Sequence, residues 1–109
     1  MKYKIIYSPE AVDDLRNIYS YISAELQEPS IAKNQVDMIR QSIKSLDEMP
    51  ERHMKVEWEP WNSMGMRKFP VSNYVFFYYV DNEDNSVSIA RIFYSGRDVE
   101  NIIQSSGDY

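Results

Sequence analysis

The chain has 109 residues, 43% hydrophobic and 27% charged, with no cysteine and a net charge of −5. That length supports one domain, 1–109, able to bury roughly two-thirds of its unfolded surface without disulfides or metal. The missing cysteines exclude thiolate chemistry and cysteine–zinc sites, no apolar run approaches the ~20 residues of a membrane span, and the acidic balance is the opposite of the basic excess usual in nucleic-acid binders.

The chain opens on a strand over residues 2–7, where Tyr3, Ile5 and Tyr7 alternate with Lys2, Lys4 and Ile6. It breaks at Ser8-Pro9 with no small-residue cleavage pattern, so no signal peptide is expected and the cytoplasm is the expected location. Ser8 offers an N-cap oxygen, Pro9 suits the first helical position, and Glu10 complements the helix dipole. Val12, Leu15, Tyr19, Ile22 and Leu26 then recur at helical spacing, up to a stop near Gln27 before Glu28-Pro29. A second helix starts around Ser30, carries Ala32, Val36, Ile39, Ile43 and Leu46 on one face, and stops at Met49-Pro50. So short a link makes the two an antiparallel hairpin.

Residues 51–65 have no period and read as a loop holding Trp58 and Trp61. Strands follow at Met66–Val71, with Pro70 marking an edge or bulge, at Tyr74–Val80, and at Val87–Tyr94. The turns are Ser72-Asn73 and Asp81–Asn85. The second superficially resembles a calcium loop, but Ser86 and Ile92 stand where that loop needs glycine and glutamate, so a solvated turn is expected. Asp98 can cap a short helix through Ile103, and 104–109 are expected to fray. Short turns make neighbouring strands antiparallel. The expected fold is a small two-layer α+β architecture, β-α-α-β-β-β, with a mostly antiparallel sheet on a helical hairpin and a short C-terminal helix.

The strand from Tyr74 does not alternate. Tyr74, Phe76, Tyr78 and Val80 lie on one face, and Val75, Phe77 and Tyr79 on the other. One face can meet the helices. The other is either an interaction surface or is covered by the tryptophan loop or the C-terminal helix. Trp58, Trp61, Val75, Phe77 and Tyr79 are therefore the candidate partner-binding residues.

Two stretches carry a resemblance. Arg67-Lys68-Phe69-Pro70-Val71-Ser72-Asn73-Tyr74-Val75-Phe76-Phe77-Tyr78 resembles the middle signature of RelE/ParE toxins, in which an arginine opens a strand and a tyrosine-rich strand follows a tight turn. Val87-Ser88-Ile89-Ala90-Arg91-Ile92-Phe93-Tyr94-Ser95-Gly96-Arg97-Asp98 is similar to the closing signature, an arginine-bearing strand and a turn leading into a short helix. The opening strand and helical hairpin match in order and length. The resemblance implies a type II toxin, often tied to plasmid stabilisation, that arrests bacterial growth when free. It also implies a protein antitoxin whose helix docks in an apolar groove. Its target would be DNA gyrase, as for ParE-like members, or messenger RNA at the ribosome, as for RelE-like ones. The ending Arg97-Asp98-Val99-Glu100-Asn101-Ile102-Ile103 looks more like the ParE side. A member that has lost toxicity and only binds is a third possibility.

Cleavage of RNA by 2′-hydroxyl attack needs cations on the scissile phosphate and a group to move protons. For a RelE-like enzyme the candidates are Arg67, Arg91, Tyr94 and Arg97. Arg67 and Arg91 sit on strands that could be adjacent, and Tyr94 stands where many relatives carry histidine. A tyrosine of ordinary pKa is a poor base at neutral pH, though it can donate a proton. Lys68, Arg52, Lys55 and the sole histidine, His53, are further cationic groups, and Glu57 and Glu59 are possible bases. The alternative is that the arginines pair with Asp98, Glu57 or antitoxin carboxylates and stabilise rather than catalyse. No metal and no cofactor are expected on either reading.

Overall fold

The computed structural model describes residues 2–106. The elements are β1 (Lys4–Tyr7), α1 (Pro9–Leu26), α2 (Pro29–Lys44), β2 (Arg67–Val71), β3 (Tyr74–Asp81), β4 (Ser86–Tyr94) and α3 (Val99–Ser106). The sheet order is β1-β4-β3-β2. β2–β3 and β3–β4 are antiparallel, as their short turns require, while β1 lies parallel to β4. No helix is long and apolar enough to cross a membrane among the described residues.

The start of α1 is fixed by local chemistry. The Ser8 hydroxyl accepts the Ala11 amide at 2.9 Å, and Pro9 occupies the first turn. The buried stripe is Ala11, Leu15, Ile18 and Ile22. It is rotated from the expected one, leaving Tyr19 and Leu26 exposed. Ala11 is fully buried in the cluster under the helices, and Tyr19 lies on the side toward Val36 and Arg40 of α2. In α2 the expected Ala32, Ile39 and Ile43 are buried, and the stripe continues to Leu46 in a tight turn, Ser45–Asp47, past the helix end at Lys44. A second such turn, Pro50–Arg52, follows the left-handed Met49. Arg52 gathers the carbonyls left at this terminus, donating to Glu48 O at 2.7 Å, Met49 O at 3.1 Å and Ser45 Oγ at 3.0 Å.

Two apolar clusters sit on opposite faces of the sheet. Tyr74, Phe76 and Tyr78 of β3 pack with the helical hairpin. Phe77 packs with Val56, Trp61, Met66, Phe93, Val99 and Ile103, so the tryptophan loop and α3 together cover the second face. α3 continues past the expected stop at Ile103 and includes 104–106, where fraying was expected. The remaining 107–109 of that tail lie outside the described residues.

A β-bulge interrupts β4. Phe77 pairs with Arg91 and Tyr78 with Ile89, which leaves Ala90 as the extra residue. The bulge shifts the alternation. Val87 and Ile89 face the helices before it, and Ile92 faces them after it.

Candidate functional site

The bulge re-aims Arg91 toward α1, where Asp14 meets it. Arg91 Nε donates to Asp14 Oδ2 at 2.9 Å and Nη2 to Oδ1 at 3.1 Å, a two-point pairing. The same Oδ2 accepts the Ile92 amide at 2.8 Å. One carboxylate thus neutralises the arginine and fixes the irregular backbone beside it. Side-chain exposure is 19% for Arg91 and 11% for Asp14. The Arg91 guanidinium also lies 4.5 Å from the Phe93 ring centre. Ser8 secures the bulge from the other side, its hydroxyl donating to Ala90 O at 2.8 Å.

Around this pair an open cleft of about 570 Å³ runs between α1, β4 and the start of α3, lined by Asp14, Asn17, Tyr21, Arg91, Tyr94 and Arg97. Three of the four residues proposed for RNA cleavage therefore share one cleft. Arg97 lies 5.8 Å from the Phe93 ring centre, so Phe93 carries both guanidinium groups. Tyr94 packs on Tyr74 at 4.9 Å and meets Tyr21 edge-on at 6.1 Å. Burial, with Tyr94 beside it, holds the Tyr74 hydroxyl above the ordinary phenol value.

Arg67 is elsewhere. Its guanidinium turns to the preceding loop, donating to His53 O at 2.7 Å and Glu51 O at 3.2 Å. Among the described residues its carboxylate contact is Glu51 at 3.7 Å. The convergence of Arg67 and Arg91 on one phosphate fails because Arg67 pairs across from Tyr78 on β2, two strands from β4, and is spent on backbone carbonyls. Arg91 takes its carboxylate from Asp14, not from the expected Asp98 or Glu57. Of those two acids, the Asp98 side chain approaches the Asn101 amide at 3.4 Å.

His53 stacks on Phe69 with ring centres 3.8 Å apart. Its Nε2 is buried without a hydrogen-bond partner. Burial foremost, and then Arg52, lower its pKa. The Tyr78 hydroxyl donates to Pro50 O at 2.7 Å, and burial pushes its pKa up to about 12. These contacts tie the loop to β2 and β3. Glu59 is held below the usual carboxylate range by Ser63, whose hydroxyl and amide both bond it. No trio of histidine, aspartate or glutamate is placed to hold a metal among the described residues.

The five aromatic and apolar candidates separate by burial. Trp61 (1% exposed) and Phe77 (4%) fill the second cluster, with ring centres 4.8 Å apart. Of the two alternatives for this face, an interaction surface or a cover from the same chain, the second holds there, with the tryptophan loop and α3 both contributing. Trp58, stacked on Trp61, and Val75 are half-buried. Tyr79 is exposed, as are Ile6 and Met64 nearby. Asp14 is the residue that sequence reasoning passed over. Its only signal was a carboxylate immediately before buried Leu15, on the flank of the helix's apolar stripe.

The described geometry agrees with known proteins in fold. A family model, "ParE toxin of type II toxin-antitoxin system, parDE", matches residues 5–99. No curated protein matches the sequence. Among solved structures, the chromosomal ParDE system of P. aeruginosa superposes with a TM-score of 0.70 at 21% identity, covering 85% of this chain and 96% of that one. The toxin–antitoxin complex RelBE2 of Mycobacterium tuberculosis gives 0.61 at 20% identity, over 86% and 99%. Free E. coli RelE, a double-arginine mutant, gives 0.61 at 14% identity, over 96% and 93%.

Proposed function

The chain belongs to the ParE toxin family of type II toxin–antitoxin systems, and from that premise we propose that it arrests growth by binding a protein target, DNA gyrase, rather than by cutting RNA. The observation that supports this most is the engagement of its cations. Arg91 is neutralised by Asp14, and Arg67 is bound to loop carbonyls. Among the described residues no carboxylate pairs with Arg97, so a scissile phosphate in the cleft would meet that guanidinium free of an ion pair. Tyr94 packs on Tyr74 and meets Tyr21 edge-on, and no histidine lines the cleft. Metal-independent cleavage needs at least one proton-moving group of suitable pKa and several cations on the phosphate. The acidic net charge adds to the argument.

The partner that keeps the chain silent is an antitoxin protein, as the solved ParDE and RelBE2 relatives are toxin–antitoxin complexes. A small, partly disordered antitoxin from the neighbouring reading frame, with a helix seated in an apolar groove, fits this role. The cytoplasm is where such a pair would act.

One observation favours the RelE-like alternative. Arg91, Tyr94 and Arg97 do line one cleft of a size to take a nucleotide. Mapping transcript ends after induced expression separates the readings. Protein binding predicts growth arrest with no discrete cuts in translated messages. Cuts that disappear in Arg97→Ala would establish the nuclease and defeat the proposal. Unchanged growth would leave a non-toxic binding module.

A further inference from the structure

The donors that meet the Asp14 carboxylate all belong to β4. Arg91 Nε and Nη2 reach its two oxygens at 2.9 and 3.1 Å, and the Ile92 amide reaches Oδ2 at 2.8 Å. The carboxylate itself comes from a different element, α1. The bulge that aims these donors is also held without Asp14. Ser8 donates its hydroxyl to Ala90 O at 2.8 Å and its amide to Ile89 O at 3.0 Å, and the Arg91 guanidinium lies over the Phe93 ring at 4.5 Å. β4 thus forms a cradle for one anion, and the chain fills that cradle from within. A guanidinium fork serves phosphate as well as it serves carboxylate, because both offer it two oxygens in one plane.

The surroundings of the cradle favour phosphate. The cleft of about 570 Å³ beside it is lined by Arg91 and Arg97, and Asp14 is the sole acid among its lining residues. Arg97 has no carboxylate partner among the described residues. Removal of the Asp14 carboxylate therefore leaves a doubly cationic cleft, matched in charge to a phosphate dianion.

We propose that the bulge of β4 is a latent phosphate site that Asp14 keeps filled, which makes Asp14 the residue that closes this cleft to phosphate-bearing ligands. The proposal rests on the reading above that the cleft cuts no RNA, and it names the group responsible. Arg91 retains the geometry of a phosphate clamp, and one side chain of α1 decides whether an outside anion reaches it.

The test is anion rescue of Asp14→Ala, followed by melting curves in phosphate and in chloride at matched ionic strength. Phosphate should raise the melting temperature of this variant on the order of 5 °C more than that of the native chain, because an anion held only by the folded state stabilises it. The native chain is the reference, since phosphate stabilises folded proteins in general. The extra rise should vanish in Asp14→Ala/Arg91→Gln. Asp14→Ser, which keeps a polar atom at this position, gives the same comparison should the alanine variant fail to fold. In the native chain, added phosphate should leave the Arg91 Nε–H signal in the NMR spectrum where it is. No extra rise in either single variant, a rise that survives in the double variant, or rescue by formate and not by phosphate overturns the latent phosphate site. A native Arg91 signal that moves with phosphate overturns the closure by Asp14. RNA cut by the native chain would defeat the functional reading and the closure together, whereas absent rescue defeats the closure alone and leaves gyrase supercoiling to report on the functional reading.

Discussion

Replacing Asp14 with alanine removes one carboxylate from two partners at once. Arg91 loses its two-point ion pair, and the Ile92 amide at the bulge loses its acceptor. Removing one partner of a buried ion pair costs about 3–5 kcal/mol, and leaving a backbone N–H unsatisfied costs about 1–3 kcal/mol. The pair keeps some contact with water, at 19% and 11% side-chain exposure. Water then solvates part of the Arg91 guanidinium, so a loss of about 3 kcal/mol is expected rather than the full sum. Domains of this kind have only about 5–15 kcal/mol of stability in total. At about 4 °C or more per kcal/mol for a chain near 100 residues, the melting temperature should fall by roughly 12 °C or more. Urea unfolding followed by tryptophan fluorescence is a suitable assay, because Trp61 is buried in the second cluster. The double variant Asp14→Leu/Arg91→Leu should recover much of the loss, since apolar replacement of both members of a buried pair is often neutral. A loss below about 1 kcal/mol in Asp14→Ala, or a double variant as unstable as the single one, would refute the reasoning.

Three further outcomes follow from the packing and the charges. Trp61→Ala should cost about 3–5 kcal/mol because it empties the second cluster, while Trp58→Ala, at a half-buried position, should cost clearly less in the same urea titration. Arg52→Ala should lower stability by about 1–2 kcal/mol by releasing the carbonyls it gathers after α2, with faster amide exchange in the last turn of that helix as the local readout. His53 binds its proton less readily folded than unfolded. Its contribution to stability is therefore complete above the unfolded pKa of about 6.5 and is lost as pH falls through that value toward the lower folded one. A urea midpoint that declines over this range in the native chain, and declines less in His53→Phe, would bear this out, and parallel curves would count against it.

Much of the fold was written in local chemistry. Ser8-Pro9 marks the start of α1, and the turns at Ser72-Asn73 and 81–85 separate β2, β3 and β4. The doubly apolar β3 leaves its second face either as an interaction surface or under the tryptophan loop or C-terminal helix, and the structure covers it with both; periodicity could not decide between these, because the aperiodic loop holding Trp61 and the short α3 declare no partner in sequence. The parallel seat of β1 beside β4 was equally silent, since that contact joins residues about eighty positions apart. The α1 stripe is rotated because Ala11 and Ile18, not Val12 and Tyr19, take the buried positions, and the helical spacing accommodates either set. The site suffered most from the bulge. Strict alternation in β4 cannot show that Ala90 is an extra residue, so neither the aim of Arg91 nor its meeting with Asp14 could be read from spacing. Arg97 and Tyr94 were found through the resemblance of 87–98 to the closing signature of RelE/ParE toxins, and they line the cleft because they sit just beyond the bulge at the strand end.

The central claim is a protein target engaged without RNA chemistry, and purified chain added to a DNA gyrase supercoiling reaction tests it most directly. The account predicts a dose-dependent loss of supercoiling, reversed by the antitoxin and retained in folded variants of the cleft arginines that would serve a nuclease. Supercoiling that continues undiminished, with ribosome-bound messages cut at discrete positions by the same preparation, would contradict it.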